Sequence, residues 1–97
     1  MPVVFIPSLL RSLTQGADKI VVPGETVRQV IDNLEMRYPG IKDRLCQGEV
    51  LRSNLVVAVD GEISQERLRH RLTEASQVRF MPALSGGGGH SAGWIMD

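Results

Sequence analysis

The sequence predicts an α+β domain in which one main helix lies across one face of a mixed sheet of four to five strands. Three observations predict it. Residues 26–38 carry apolar side chains at helical spacing. Four short runs rich in β-branched and aromatic residues flank that stretch in the order ββ-α-ββ. An amphipathic helix must also bury its apolar stripe against another element, and here only the strands offer a surface.

Each element has its own warrant. Val3-Val4-Phe5-Ile6 is a strand run ended by Pro7, and residues 8–13 have the character of a helical turn. Gly16 and Asp18 are turn chemistry. Lys19-Ile20-Val21-Val22 is a second strand stopped by Pro23-Gly24, so the first two strands form a hairpin. Thr26 and Gln29 have capping-box spacing. Val27, Val30, Ile31, Leu34 and Tyr38 then line one helical face before Pro39-Gly40 stops the helix. Residues 41–46 add a short helix through Ile41 and Leu45. Leu55-Val56-Val57-Ala58-Val59 is apolar throughout, the pattern of a strand covered on both faces. Asp60-Gly61 is a tight-turn signal leading to Ile63. Residues 66–72 are charged, with Leu68 and Leu72 four apart, and make at most a short turn. Residues 77–81 are the last strand, ended by Pro82. This order is the β-grasp arrangement.

Composition narrows the function. A chain of 97 residues is one domain and buries roughly 60–65% of the surface its unfolded form exposes. Its 11 basic and 11 acidic residues cancel, so it has no electrostatic footprint for nucleic acid or an anionic membrane. Its one cysteine, Cys46, excludes an intramolecular disulfide. No apolar run approaches the ~20 residues of a membrane span, and the basic-then-apolar pattern of a signal peptide is absent. The expected compartment is the cytoplasm.

Phe80-Met81-Pro82-Ala83-Leu84-Ser85-Gly86-Gly87 resembles the C-terminal signature of the MoaD/ThiS-like sulfur carriers: an apolar strand, a proline, then small residues into Gly-Gly. Ile6-Pro7-Ser8-Leu9-Leu10-Arg11, Val30-Ile31-Asp32-Asn33-Leu34-Glu35 and Tyr38-Pro39-Gly40-Ile41-Lys42-Asp43-Arg44-Leu45 resemble the branch of that family that supplies sulfur for cysteine biosynthesis. The likeness covers residues 3–87 and rests on the order and spacing of these stretches together. It implies a ubiquitin-like β-grasp domain over residues 1–85, followed at 86–97 by a flexible glycine segment and an extension. It also implies a carrier rather than an enzyme, with no bound cofactor. An ATP-dependent E1-like activating enzyme would adenylate the C-terminal carboxylate of Gly87 or Gly89, a sulfur donor would convert it to a thiocarboxylate, and a sulfur-accepting synthase would use it. The chain departs from the family in two respects: it has four glycines where two are usual, and eight residues follow them. A precursor is therefore expected, cut by a tail-removing protease, for which a zinc metalloprotease is one candidate class.

Glycine suits such a terminus because it lacks Cβ, threads a narrow channel and leaves its carbonyl open. From Leu84 to Gly87 an extended chain reaches roughly 13 Å, enough to enter a partner's site. Gly86 and Gly88 belong to the same segment. A bare linker is the plain alternative for four glycines. A phosphate-binding loop does not fit, because no Lys-Ser or Lys-Thr follows. Strand alternation puts Phe5 and Ile6 on opposite faces, and likewise Phe80 and Met81. With Phe5 and Phe80 toward the helix, Ile6 and Met81 point outward, and Ile63 completes a patch at which the family docks its partners. Pro82 and Leu84 extend that contact toward the glycines. Cys46, beside Ile41 and Leu45, reads as packing. His70 and His90 are too isolated for zinc, and Glu66, Arg67, Arg69, His70 and Arg71 read as a solvated face. Two alternatives stay open: a ubiquitin-like protein modifier, and a plain β-grasp binding module without sulfur chemistry.

Overall fold

The computed structural model describes residues 1–83. Along the chain come β1 (Val3–Phe5), a 3₁₀ turn (Ser8–Thr14), β2 (Lys19–Val21), α1 (Val27–Arg37) and α2 (Ile41–Leu45). There follow β3 (Cys46–Gln47), β4 (Val50–Leu51), β5 (Leu55–Val59), β6 (Glu62–Ile63), a 3₁₀ turn (Arg67–Arg69) and β7 (Gln77–Pro82). Five strands form a mixed sheet in the order β2-β1-β7-β5-β6, while β3 and β4 make a separate hairpin. The first and last strands, β1 and β7, pair in parallel at the centre, and the other pairs are antiparallel. This is the ubiquitin-like β-grasp.

Local chemistry sets the helix. Thr26 is its N-cap, and its hydroxyl accepts the N–H of Gln29 at 3.2 Å. The Gln29 side chain reaches one residue further back than an ideal capping box and accepts the N–H of Glu25 at 2.9 Å. Val27, Val30, Ile31 and Leu34 are fully buried against the sheet. Each such side chain contributes about 1.5–3 kcal/mol of transfer free energy. Glu35 ties α1 to α2 by accepting the N–H groups of Gly40 and Lys42. Those bonds, that of Lys42 first, hold its carboxyl below the usual carboxylate range.

The Asp60-Gly61 turn forms as the dipeptide predicts, with φ of 54° and 89°, the left-handed pair of a tight hairpin turn. The β3–β4 hairpin was not foreseen. Its strands have two residues each and no apolar alternation long enough to announce them. The short helix accordingly ends at Leu45, and Cys46 is extended. The reading of β5 also changes. It is internal, flanked by β7 and β6, but no second layer covers its helix-free face among the described residues. Ala58 is nonetheless buried there, whereas Val56 is half-buried.

Candidate functional site

The sheet has two chemically different faces, and register assigns each residue to one. Val4 pairs with Val78 and Phe5 with Arg79 across β1 and β7. Val57 pairs with Phe80 and Val56 with Met81 across β5 and β7. Val4, Ile6, Val57, Val78 and Phe80 are buried beneath α1 as part of the core. The intervening residues emerge on the helix-free face. One row there runs Ile63, Ala58, Arg79, Phe5, Lys19, and beside it lies the pair Val56 and Met81.

Ile6 is a correction. It was expected outward with Met81, but it is 2% exposed and belongs to the core. The alternation of β1 is as read, but its phase is inverted relative to β7. The parallel register places Phe5 beside Arg79 rather than beside Phe80. Phe5 takes the outward position, half-buried, with the Arg79 guanidinium carbon 3.8 Å from its ring centroid. Ile63, 37% exposed, and the half-buried Met81 lie on the helix-free face as expected. Pro82 is exposed at the end of β7, opposite Leu55 and in phase with Phe80. Leu84, Gly86, Gly87, Gly88 and Gly89 lie outside the described residues.

Sequence reasoning missed Phe5, Val56 and Arg79 as parts of this face. The available signal was the repeated inward pair: Val4 with Ile6 matches Ile20 with Val22 in both spacing and aliphatic type. Strand β7 aims the chain beyond it. The N–H of Ala83 donates to the carbonyl of Asn54 at 2.8 Å, so the backbone is held until the residue before Leu84. A shallow groove along this end is lined by Phe5, Arg11, Asp18, Lys19, Arg79 and Met81 among others. Arg11 is fixed at its rim by donating from Nε to the carbonyl of Ile6 at 3.0 Å.

The remaining reactive groups are structural. Cys46 is buried, and burial pushes its thiol up, the opposite of what a nucleophilic thiolate needs. Ser64 Oγ accepts the N–H groups of Glu66 and Arg67 and lies 2.7 Å from His70 Nδ1, which organises the turn. Glu66, Arg67, Arg69 and Arg71 are exposed around it. No helix among the described residues is long and apolar enough to cross a membrane.

A β-grasp domain whose last strand passes an open apolar face on its way to a glycine run has the form of the small ubiquitin-like proteins. The chain belongs to the ThiS family, whose model matches residues 4–87. It is 30% identical over 89 residues to the sulfur carrier protein CysO of Mycobacterium tuberculosis, covering 87% of this chain and 96% of that protein. Among solved structures it resembles CysO in the BexX/CysO complex of Amycolatopsis orientalis, with a TM-score of 0.82 and 32% identity over 90% of this chain and all of that one. The small archaeal modifier protein 1 of Methanosarcina acetivorans shares the fold, with a TM-score of 0.73 and 23% identity over 89% of this chain and 95% of that one.

Proposed function

We propose that this protein is a sulfur carrier, made as a precursor, whose exposed C-terminal glycine bears sulfur as a thiocarboxylate for biosynthesis of cysteine, molybdopterin or another sulfur-containing metabolite. Membership of the ThiS family across residues 4–87 carries this reading. The geometry supports it, because β7 leads from Met81 on the open face toward the glycine run.

A tail-removing protease hydrolyses the peptide bond after Gly87 or Gly89 and leaves a free carboxylate. An E1-like activating enzyme docks on Phe5, Val56, Ile63 and Met81, with Pro82 and Leu84 continuing the contact. Within that enzyme the glycine carboxylate attacks the α-phosphorus of ATP, forming an acyl-adenylate and expelling pyrophosphate. Hydrosulfide delivered by the sulfur donor then attacks the carbonyl carbon, AMP departs with the C–O bonding pair, and loss of the sulfur-bound proton leaves the thiocarboxylate. This chain supplies the carboxylate and the docking face, and ATP stays with the partner. A sulfur-accepting synthase then takes up the charged carrier.

The test compares the chain ending at Asp97 with forms ending at Gly87 and Gly89, each given cognate activating enzyme, ATP and a sulfur donor. Intact mass should show one oxygen replaced by sulfur in a glycine-ended form and no change in the longer chain. Gly87 is favoured because its distance from Pro82 matches the family pattern. Equal thiocarboxylation of the longer chain would remove the precursor step. Failure of all three would favour a plain binding module, and isopeptide products on other proteins would favour a modifier.

A further inference from the structure

Charge on the helix-free face is sorted to its two ends. From β6 to β2 the row runs Ile63, Ala58, Arg79, Phe5, Lys19. At the β6 end, the groove around Ile63 is lined by Asp60, Glu62 and Glu66 and by neither lysine nor arginine. At the β1–β7 end, the groove is lined by Arg11, Lys19 and Arg79, with Asp18 as its one acid. The chain as a whole is neutral, so the separation is local to this face.

The three cations have no internal counter-ion. Arg11, Asp18, Lys19 and Arg79 are all exposed, and none of them joins an ion pair among the described residues. Two of the cations are also held in place. Arg11 donates from Nε to the carbonyl of Ile6 at 3.0 Å, which leaves its terminal nitrogens for another acceptor. Arg79 rests the flat side of its guanidinium on the Phe5 ring, and its in-plane N–H donors point past the ring edge. An ordinary surface ion pair contributes little because two long side chains must be ordered to form it. Here the ordering of one partner is already in place, which lowers that cost.

The occupant has to match both characters of the face. Half-buried Val56 and Met81 and exposed Ile63 call for apolar surface opposite them, which a free anion or a phosphate polymer lacks. A neutral chain also exerts no long-range pull on a polyanion. Carboxylates opposite Ile63 would meet Asp60, Glu62 and Glu66, so acid on the partner is confined to the cationic end.

We propose that the activating enzyme meets this face with an apolar surface edged by carboxylates on one side only, and that Arg11, Lys19 and Arg79 receive those carboxylates. The pairing fixes how the domain is rotated on the enzyme, and so where β7 delivers the chain that follows it. The identity of the partner rests on the sulfur-carrier reading; the preference of the face for carboxylate does not.

Two measurements keep these apart. In the first, amide spectra of the 97-residue chain are recorded with an acetylated hexapeptide of alternating glutamate and leucine, with its glutamine counterpart, and with inorganic phosphate. The expected result is shifts at Phe5, Val56, Arg79 and Met81, with the glutamate peptide bound about threefold more tightly than the glutamine one. Arg79→Gln should abolish that preference. Equal binding of the two peptides, shifts elsewhere, or the same shifts with phosphate alone overturn the proposal. Shifts that grow with protein concentration before any peptide is added overturn it in favour of a second copy. The second measurement follows association with the cognate activating enzyme by stopped flow at low and high salt. Arg79→Glu should slow association about tenfold at low salt and flatten its salt dependence. Arg69→Glu makes the same change in charge at an exposed position outside this face and should leave both near the parent values. Equal slowing by the two variants overturns the proposal, because net charge alone then accounts for it, and so does an Arg79→Glu chain that behaves as the parent. Arg79 is exposed, so its replacement leaves the core intact, and the amide spectrum of each variant verifies this. A peptide preference as expected, with no binding to the activating enzyme, supports the chemistry of the face and counts against the sulfur-carrier reading alone.

Discussion

The two faces of the sheet are made from the same strands yet do different work. On the helix side Val4, Ile6, Val57, Val78 and Phe80 are at most 4% exposed and pack with Val30, Ile31 and Leu34 of α1. On the other side Phe5, Val56, Met81 and Ile63 are apolar but only partly covered, with Arg79 and Lys19 among them. Neighbouring residues in a strand thus fall into separate energetic roles. One phase supplies folding free energy. The other leaves apolar surface partly uncovered, which a single-layer sheet can do without exposing its core, and the proposed docking rests on that surface.

Substitutions at adjacent positions should therefore separate. Ile6→Ala removes a fully packed side chain and should lower stability by about 2–5 kcal/mol in a denaturant titration. Phe5→Ala, one residue away, should cost much less in the same titration. Equal losses would mean that the faces are not distinct. Met81→Asp places a carboxylate in the docking contact and should weaken binding of the activating enzyme by about 2 kcal/mol, roughly 30-fold. Its unfolding midpoint should stay close to that of the parent chain. Unchanged affinity by calorimetry would exclude Met81 from the interface. Thr26→Ala removes the N-cap of α1 and should cost about 1 kcal/mol of stability while leaving that affinity alone.

The smallest effect should come from acid. The folded-state pKa of Glu35 lies below its unfolded value because the N–H groups of Lys42 and Gly40 bind the ionised form. The stability this provides is full above the unfolded carboxylate range. It is lost as pH falls through the depressed folded value. Glu35→Gln should flatten that part of the pH profile of the melting temperature, and an unaltered profile would show that the α1–α2 tie does not depend on charge.

What could be read from the sequence was what is decided locally. The Thr26 cap, the stripe through Leu34, the Asp60-Gly61 turn and the strand runs each depend on residues a few positions apart. The phase of β1 did not, because it is set by parallel pairing with β7 more than seventy residues later. Reading Phe5 with Phe80 matched residue type, whereas the core matched shape and placed Ile6 inward. The β3–β4 hairpin escaped because its two-residue strands leave no period to detect. Of that face, Met81 was legible from alternation and Ile63 from the family resemblance, while Arg79 on Phe5 required a register that only the folded sheet defines.

The most direct measurement is made on the protein recovered from its own cells. Top-down mass spectrometry of the extract reads both the last residue and the atoms of its carboxyl group. The account predicts a population ending at Gly87 or Gly89 in which one carboxylate oxygen is replaced by sulfur. A population that retains residues 90–97 throughout and carries no sulfur beyond its cysteine and methionines, under conditions that demand sulfur biosynthesis, would contradict it.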